Sequence, residues 1–167
     1  MQELERVINK ITTPADKRTK WEAVNELECV IEKLPRAFGE LTETGTPGLY
    51  ARELFMPKGM LCTSRIHKVE HQFIVSEGCA TVYNTLTDET VLVKAPYHGI
   101  TLPGTRRVLY IHEDCRWTTF HPTDRIKEGF NDLEKHEQQV IFDTVMSDII
   151  EEYYNPLLLN FDEGVFI

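Results

Sequence analysis

Between Leu49 and His121 the chain breaks into eight short runs that favour extended backbone: "LYARELFM", "LCTSRIH", "HQFIVSEG", "CATVYN", "TVLVKA", "GITLPG", "RRVLYIH" and "RWTTFH". Turn-forming pieces separate them: "PKG", "EG", "TDE", "PYHG", "PGT" and "HED". Val, Ile, Thr, Tyr and Phe crowd into the runs, and a break comes every ten or so positions. No helical period of useful length interrupts them. A chain written this way folds into a sandwich or barrel. "HED" at 112–114 reads as the turn before the last strand, where an acidic side chain bonds turn amides.

The flanks carry a different period. Leu4, Val7, Ile8 and Ile11 recur at helical spacing, and "TTPAD" breaks the pattern at Pro14. Trp21, Val24, Leu27, Ile31 and Leu34 then share a second helical face. Residues 1–40 therefore read as an N-terminal helical hairpin, followed by a loop, "GELTETGTPG". Residues 48–122 are the β domain. Residues 123–167 read as a C-terminal helix, opened by the Asn131/Glu134 capping box and striped by Phe142, Val145, Met146, Ile149, Ile150 and Tyr153. An apolar tail, "LLLNFDEGVFI", follows; it is expected to pack on the barrel or on a second copy, so a homodimer is expected.

Composition narrows the partners. Residues 1–122 hold 15 Lys and Arg against 16 Asp and Glu, whereas residues 123–167 hold 3 against 11. An acidic segment repels phosphate backbones, so no nucleic-acid partner is expected. No apolar run approaches the roughly 18 residues of a membrane span. The N-terminus has no signal-peptide pattern, so a cytoplasmic location is expected. The four cysteines (Cys29, Cys62, Cys79, Cys115) form no CxxC pair and read as reduced thiols.

One stretch, "RIHKVEHQFIVSEG" at 65–78, concentrates chemistry. Gly59, Arg65, His67, His71 and Gly78 stand at a spacing that resembles the first motif of the cupin superfamily. "LPGTRRVLYIH" resembles the second motif, with Pro103 and Gly104 in the turn and Arg107 where the family usually has its last histidine. More narrowly, "YARELFMPKG", "IHKVEH" and "HEDCRWTTFH" are similar to small cupin-like proteins encoded in tailed-phage genomes. The resemblance implies a mainly β fold, a double-stranded β-helix (jelly-roll) barrel, and a host-cytoplasmic setting if the protein is phage-encoded.

The four family positions map to Arg65, His67, His71 and Arg107. Arginine offers only donors, so two of the four can ligate a metal. Three readings stay open. In one, the barrel binds a small anionic molecule (a carboxylate, phosphate or nucleotide) through Arg65, His67, His71, Arg107, Tyr110 and Trp117. In a second, His67 and His71 hold one divalent ion (Zn, Fe, Mn or Ni) with a third ligand, and the protein is an oxygenase- or isomerase-type enzyme. His121, Glu70 and His112 are the candidates for that ligand, with alternation favouring His121. In the third, the barrel is a scaffold in a phage structural or host-interaction protein that works through the acidic helix and the tail. Beside these stands a purely structural role for the four residues, with Arg65 paired to Glu77 or Glu70 and Arg107 to Glu113 or Asp114.

Overall fold

A computed structural model describes residues 2–34 and 39–123. The helix and apolar tail expected beyond residue 123 lie outside the described residues. Two helices, α1 (Gln2–Thr12) and α2 (Lys17–Ile31), precede seven strands. These are β1 (Glu40–Thr46), β2 (Leu49–Met56), β3 (Leu61–Thr63), β4 (His71–Asn84), β5 (Glu89–Lys94), β6 (Tyr97–Thr101) and β7 (Arg107–Pro122).

Two long strands organise the sheet. The first half of β4 lies between β6 and the second half of β7, which continues to β2 and β1. The second half of β4 lies between β5 and the first half of β7, which continues to β3. All pairings are antiparallel, so β4 and β7 run together through two half-sheets that face each other. The ladder slips register between Val75 and Ala80, where the two strands bend. Gly78 sits at that bend with φ +85°, and a Cβ there would stand 2.1 Å from the Asp114 carbonyl oxygen. Only glycine fits both the backbone and the space. The result is the mainly β jelly-roll barrel expected from the sequence.

The core lies between the half-sheets. Phe73, Val75, Cys115 and Trp117 from one meet Ala80, Val82, Leu109 and Ile111 from the other. The hairpin packs outside: Val7, Ile11, Val24 and Leu27 cover Tyr83, Leu61 and Val108 on the outer face of the second half-sheet. Asp16 caps α2, accepting the Thr19 N–H at 3.0 Å. Arg106, 1% exposed, clamps α2 to the barrel. It donates to Asn25 at 2.6 Å, pairs with Glu28 at 2.5 Å and lies over the Trp21 ring.

Three expectations are corrected. "HQFIVSEG" and "CATVYN" form one strand, β4, and "RRVLYIH" and "RWTTFH" form another, β7, with "HED" inside it rather than in a turn. The register slip absorbs the Glu-Gly and His-Glu-Asp irregularities without ending the strands. "GELTETGTPG" is not a loop: residues 40–46 are β1, paired along β2. Its weak intrinsic preference is overridden by the partner edge.

Candidate functional site

His67, His71 and His121 come from three separate places and converge. His71 opens β4, His121 lies near the end of β7, and His67 lies between β3 and β4, its carbonyl accepting the Gly104 N–H at 2.8 Å. Strand alternation turns Trp117, Thr119 and His121 to one face of β7. Ring centroids stand 4.3 Å apart for His67–His71, 4.1 Å for His71–His121 and 4.8 Å for His67–His121. All three are buried.

Outer contacts orient two of the rings. His71 Nδ1 lies 3.0 Å from the Val69 carbonyl, so it must carry the proton, which leaves a lone pair on Nε2. His121 Nε2 shares a hydrogen bond with the Thr119 hydroxyl at 2.9 Å, and that hydroxyl also lies 3.4 Å from the Arg52 carbonyl. Among the described residues His71 Nε2, His121 Nδ1 and His67 Nδ1 are all buried without a hydrogen-bond partner. The Thr101 hydroxyl is a fourth such group, on the residue directly across from His71. Buried polar atoms are rarely left unsatisfied.

Electrostatics keep the imidazoles neutral. Burial, with His71, His121, Arg52 and Arg107 nearby, holds His67 well below the usual histidine range. Burial brings His71 down to about 4, against the opposing Val69 bond and with help from Arg107. Burial, His71 and Arg52 bring His121 down to about 3. Neutral imidazole is the metal-binding form.

A cavity of about 360 Å³ opens beside His67. Arg107, Arg52 and Arg65 supply its charge, and Leu54, Met56 and Trp117 much of its apolar wall. Arg107 is 8% exposed, its guanidinium over the Phe73 and Trp117 rings at 5.1 and 5.9 Å from their centroids. Burial lowers it to about 10, so it remains a cation at neutral pH. Among the described residues no carboxylate pairs with it: Asp114 accepts the Lys58 N–H and Glu113 is exposed, while Glu77, a partner expected for Arg65, is taken by Arg116. Arg52 is paired with Glu43 at 3.4 Å, and Glu43 also accepts from Tyr50.

The structure thus brings together His67, His71 and His121, and places Arg107, Trp117 and Arg65 around the adjoining cavity, Arg65 with an exposed side chain. Tyr110 is elsewhere. Leu109 and Ile111 turn inward, so Tyr110 points to the outer face and lines the groove under the helices. Glu70 is exposed, and His112 is exposed and bonded to Thr81 at 2.7 Å, so neither joins the histidines. Sequence reading missed Arg52 and Thr119. Both lie on inward positions of paired strands, Arg52 directly opposite Thr119, a relation that needs the register.

No protein-family model matches the chain, and no curated protein does. Solved structures similar to it include KdgF from Halomonas sp., at 14% identity over 55% of this chain and 86% of that chain, with a TM-score of 0.45. An RmlC-like cupin family protein with a double-stranded β-helix fold from Methanocaldococcus jannaschii is 9% identical over 54% and 86%, with a TM-score of 0.41. The cupin domain of Schizosaccharomyces pombe Cnp3 is 17% identical over 65% and 72%, with a TM-score of 0.45. The likeness is one of fold.

Proposed function

We propose that this protein is a small-molecule-binding barrel in which His67, His71 and His121 hold one divalent metal ion beside a cavity for an anionic ligand. The observation that carries the reading is the cluster of three buried, neutral imidazoles, each with a ring nitrogen that has no partner among the described residues. They fit a metal. Three neutral histidines are a known zinc donor set, and imidazole equally suits iron and nickel. The candidate ligand atoms lie within 4.8 Å of one another.

A bound ion would supply a Lewis acid with open positions, the equipment of an oxygenase- or isomerase-type site. The chain's own residues do the rest. Val69 and Thr119 orient two imidazoles, as outer-shell partners do in metal sites. Arg107 offers fixed donors to an anion, and the apolar wall excludes water around it. The resemblance to phage-encoded cupin-like proteins supports work in a host cytoplasm, and the apolar sequence after residue 156 supports a homodimer.

Titration with cobalt(II) tests the site. The reading expects visible absorption of a low-symmetry nitrogen-bound ion at one equivalent, abolished in His67→Ala, His71→Ala and His121→Ala. Folded protein that takes up no cobalt would overturn it.

A further inference from the structure

The cavity beside His67 is specific enough in shape and charge to indicate the class of its ligand. We infer that it takes a small carboxylic acid with an apolar body, the carboxylate anchored edge-on by Arg107 and the hydrocarbon lying against Leu54, Met56 and Leu109. The inference rests on reading this cavity as the ligand site, but not on the presence of a metal.

Arg107 is the anchor because, among the described residues, it is the buried cation without an acid beside it. A guanidinium taken out of water needs an anion or a full set of acceptors. Arg107 has instead two aromatic faces, Phe73 and Trp117. The guanidinium also lines the cavity. Its planar fork of N–H donors has as its natural complement the two coplanar oxygens of a carboxylate.

Phosphate fits less well. Tetrahedral phosphate groups are usually held by several cations or by a nest of backbone N–H groups. Here Arg52 is already paired with Glu43, Arg65 has an exposed side chain, and among the described residues no helix N-terminus lines the cavity. The hydroxyls of Thr63, Ser64 and Thr119 are the remaining small polar groups of the lining. Thr63 already donates to Glu28 and Thr119 is bonded to His121, so Ser64, which accepts the Arg107 backbone N–H, is the hydroxyl left to donate to the ligand; none of the three carries charge.

Size and walls complete the description. About 360 Å³ is near the low end for a ligand pocket. At roughly 30 Å³ for each water-sized group it holds about a dozen. Leu41, Leu54, Met56, Leu109 and Trp117 make most of its surface apolar. A sugar or nucleotide would leave hydroxyls unpaired against these side chains. A short acid would bury its chain there and keep its charge at Arg107.

Calorimetric titration of the full chain tests this with hexanoate, hexanamide and inorganic phosphate as probes, in chelator-treated and zinc-loaded protein. Hexanoate should bind saturably, and hexanamide and phosphate each at least about tenfold more weakly, the scale of one charge-assisted fork. Arg107→Lys should weaken hexanoate by about ten- to hundredfold and leave hexanamide unchanged. Equal binding of acid and amide, tighter binding of phosphate, or no hexanoate binding in either form would overturn the inference. The acid–amide comparison in the wild-type chain stands even if Arg107→Lys fails to fold. Hexanoate binding that survives where no zinc is taken up would sink the metal while keeping the anchor; zinc uptake without hexanoate binding would do the reverse.

Discussion

At the scale of single residues, the site is defined by which ring nitrogens are spent on outer contacts. His71 and His121 each commit one to such a contact, and the other is buried with no partner among the described residues. Thr119→Val keeps the shape of the side chain but removes the hydrogen-bond partner behind His121. It should lower metal affinity by about ten- to hundredfold, as outer-shell changes do, measured by competition with a chromogenic chelator. The same burial makes the metal-free protein acid-sensitive. In the unfolded chain these histidines take up a proton near pH 6.5, whereas folded His71 and His121 resist until about pH 4 and about 3. The unfolded state therefore binds more protons between those limits, and stability falls as pH drops from about 6.5 towards 4. His71 alone should contribute a loss on the order of 3 kcal/mol, read from urea midpoints across that range and diminished in His71→Gln. His67 and His71 are named in the sequence through the motif they resemble, and His121 through strand alternation; the structure brings the three side by side. Tyr110 was misplaced because one residue of register reverses a side chain's direction. Arg52 went unseen because its nearest chemistry lies on another strand.

At the scale of elements, β4 and β7 matter most, because one bent ladder delivers both ends of the site. β4 begins with His71, and β7 carries Arg107 at one end and His121 at the other. The turn residues in these strands read as chain breaks, yet Gly78 makes a bend within a strand. The distinction depends on Asp114 lying against Gly78, which no local pattern reveals. Gly78→Ala should therefore cost more than an ordinary surface change, about 2–4 kcal/mol in urea unfolding, with loss of the site's geometry. The helices were easier to see, since their apolar spacing is local; what fastens them was not. Arg106→Ala removes a buried guanidinium from Glu28 and Asn25. It should destabilise the protein by about 2–4 kcal/mol and speed amide exchange in α2 before it does so in β4.

At the scale of the whole molecule, two half-sheets close over an apolar core, and the polar groups within it gather at the histidines and the arginine cavity. The barrel was legible because alternation and turn spacing recur along the middle of the chain. The convergence of His67, His71 and His121 was not, since it arises from closure of the sheet. A folded barrel that holds three unsatisfied imidazoles should gain stability from any ion that satisfies them. An ion present at a hundredfold excess over its dissociation constant adds about 2.7 kcal/mol. The most direct test of the central claim is elemental analysis of the untagged protein before and after dialysis against a chelator, with His67→Ala alongside. The account predicts about one zinc, iron, manganese or nickel ion per chain, removed by the chelator and missing from His67→Ala. Protein that is folded, carries no metal as purified and takes none up when supplied with these ions would contradict it.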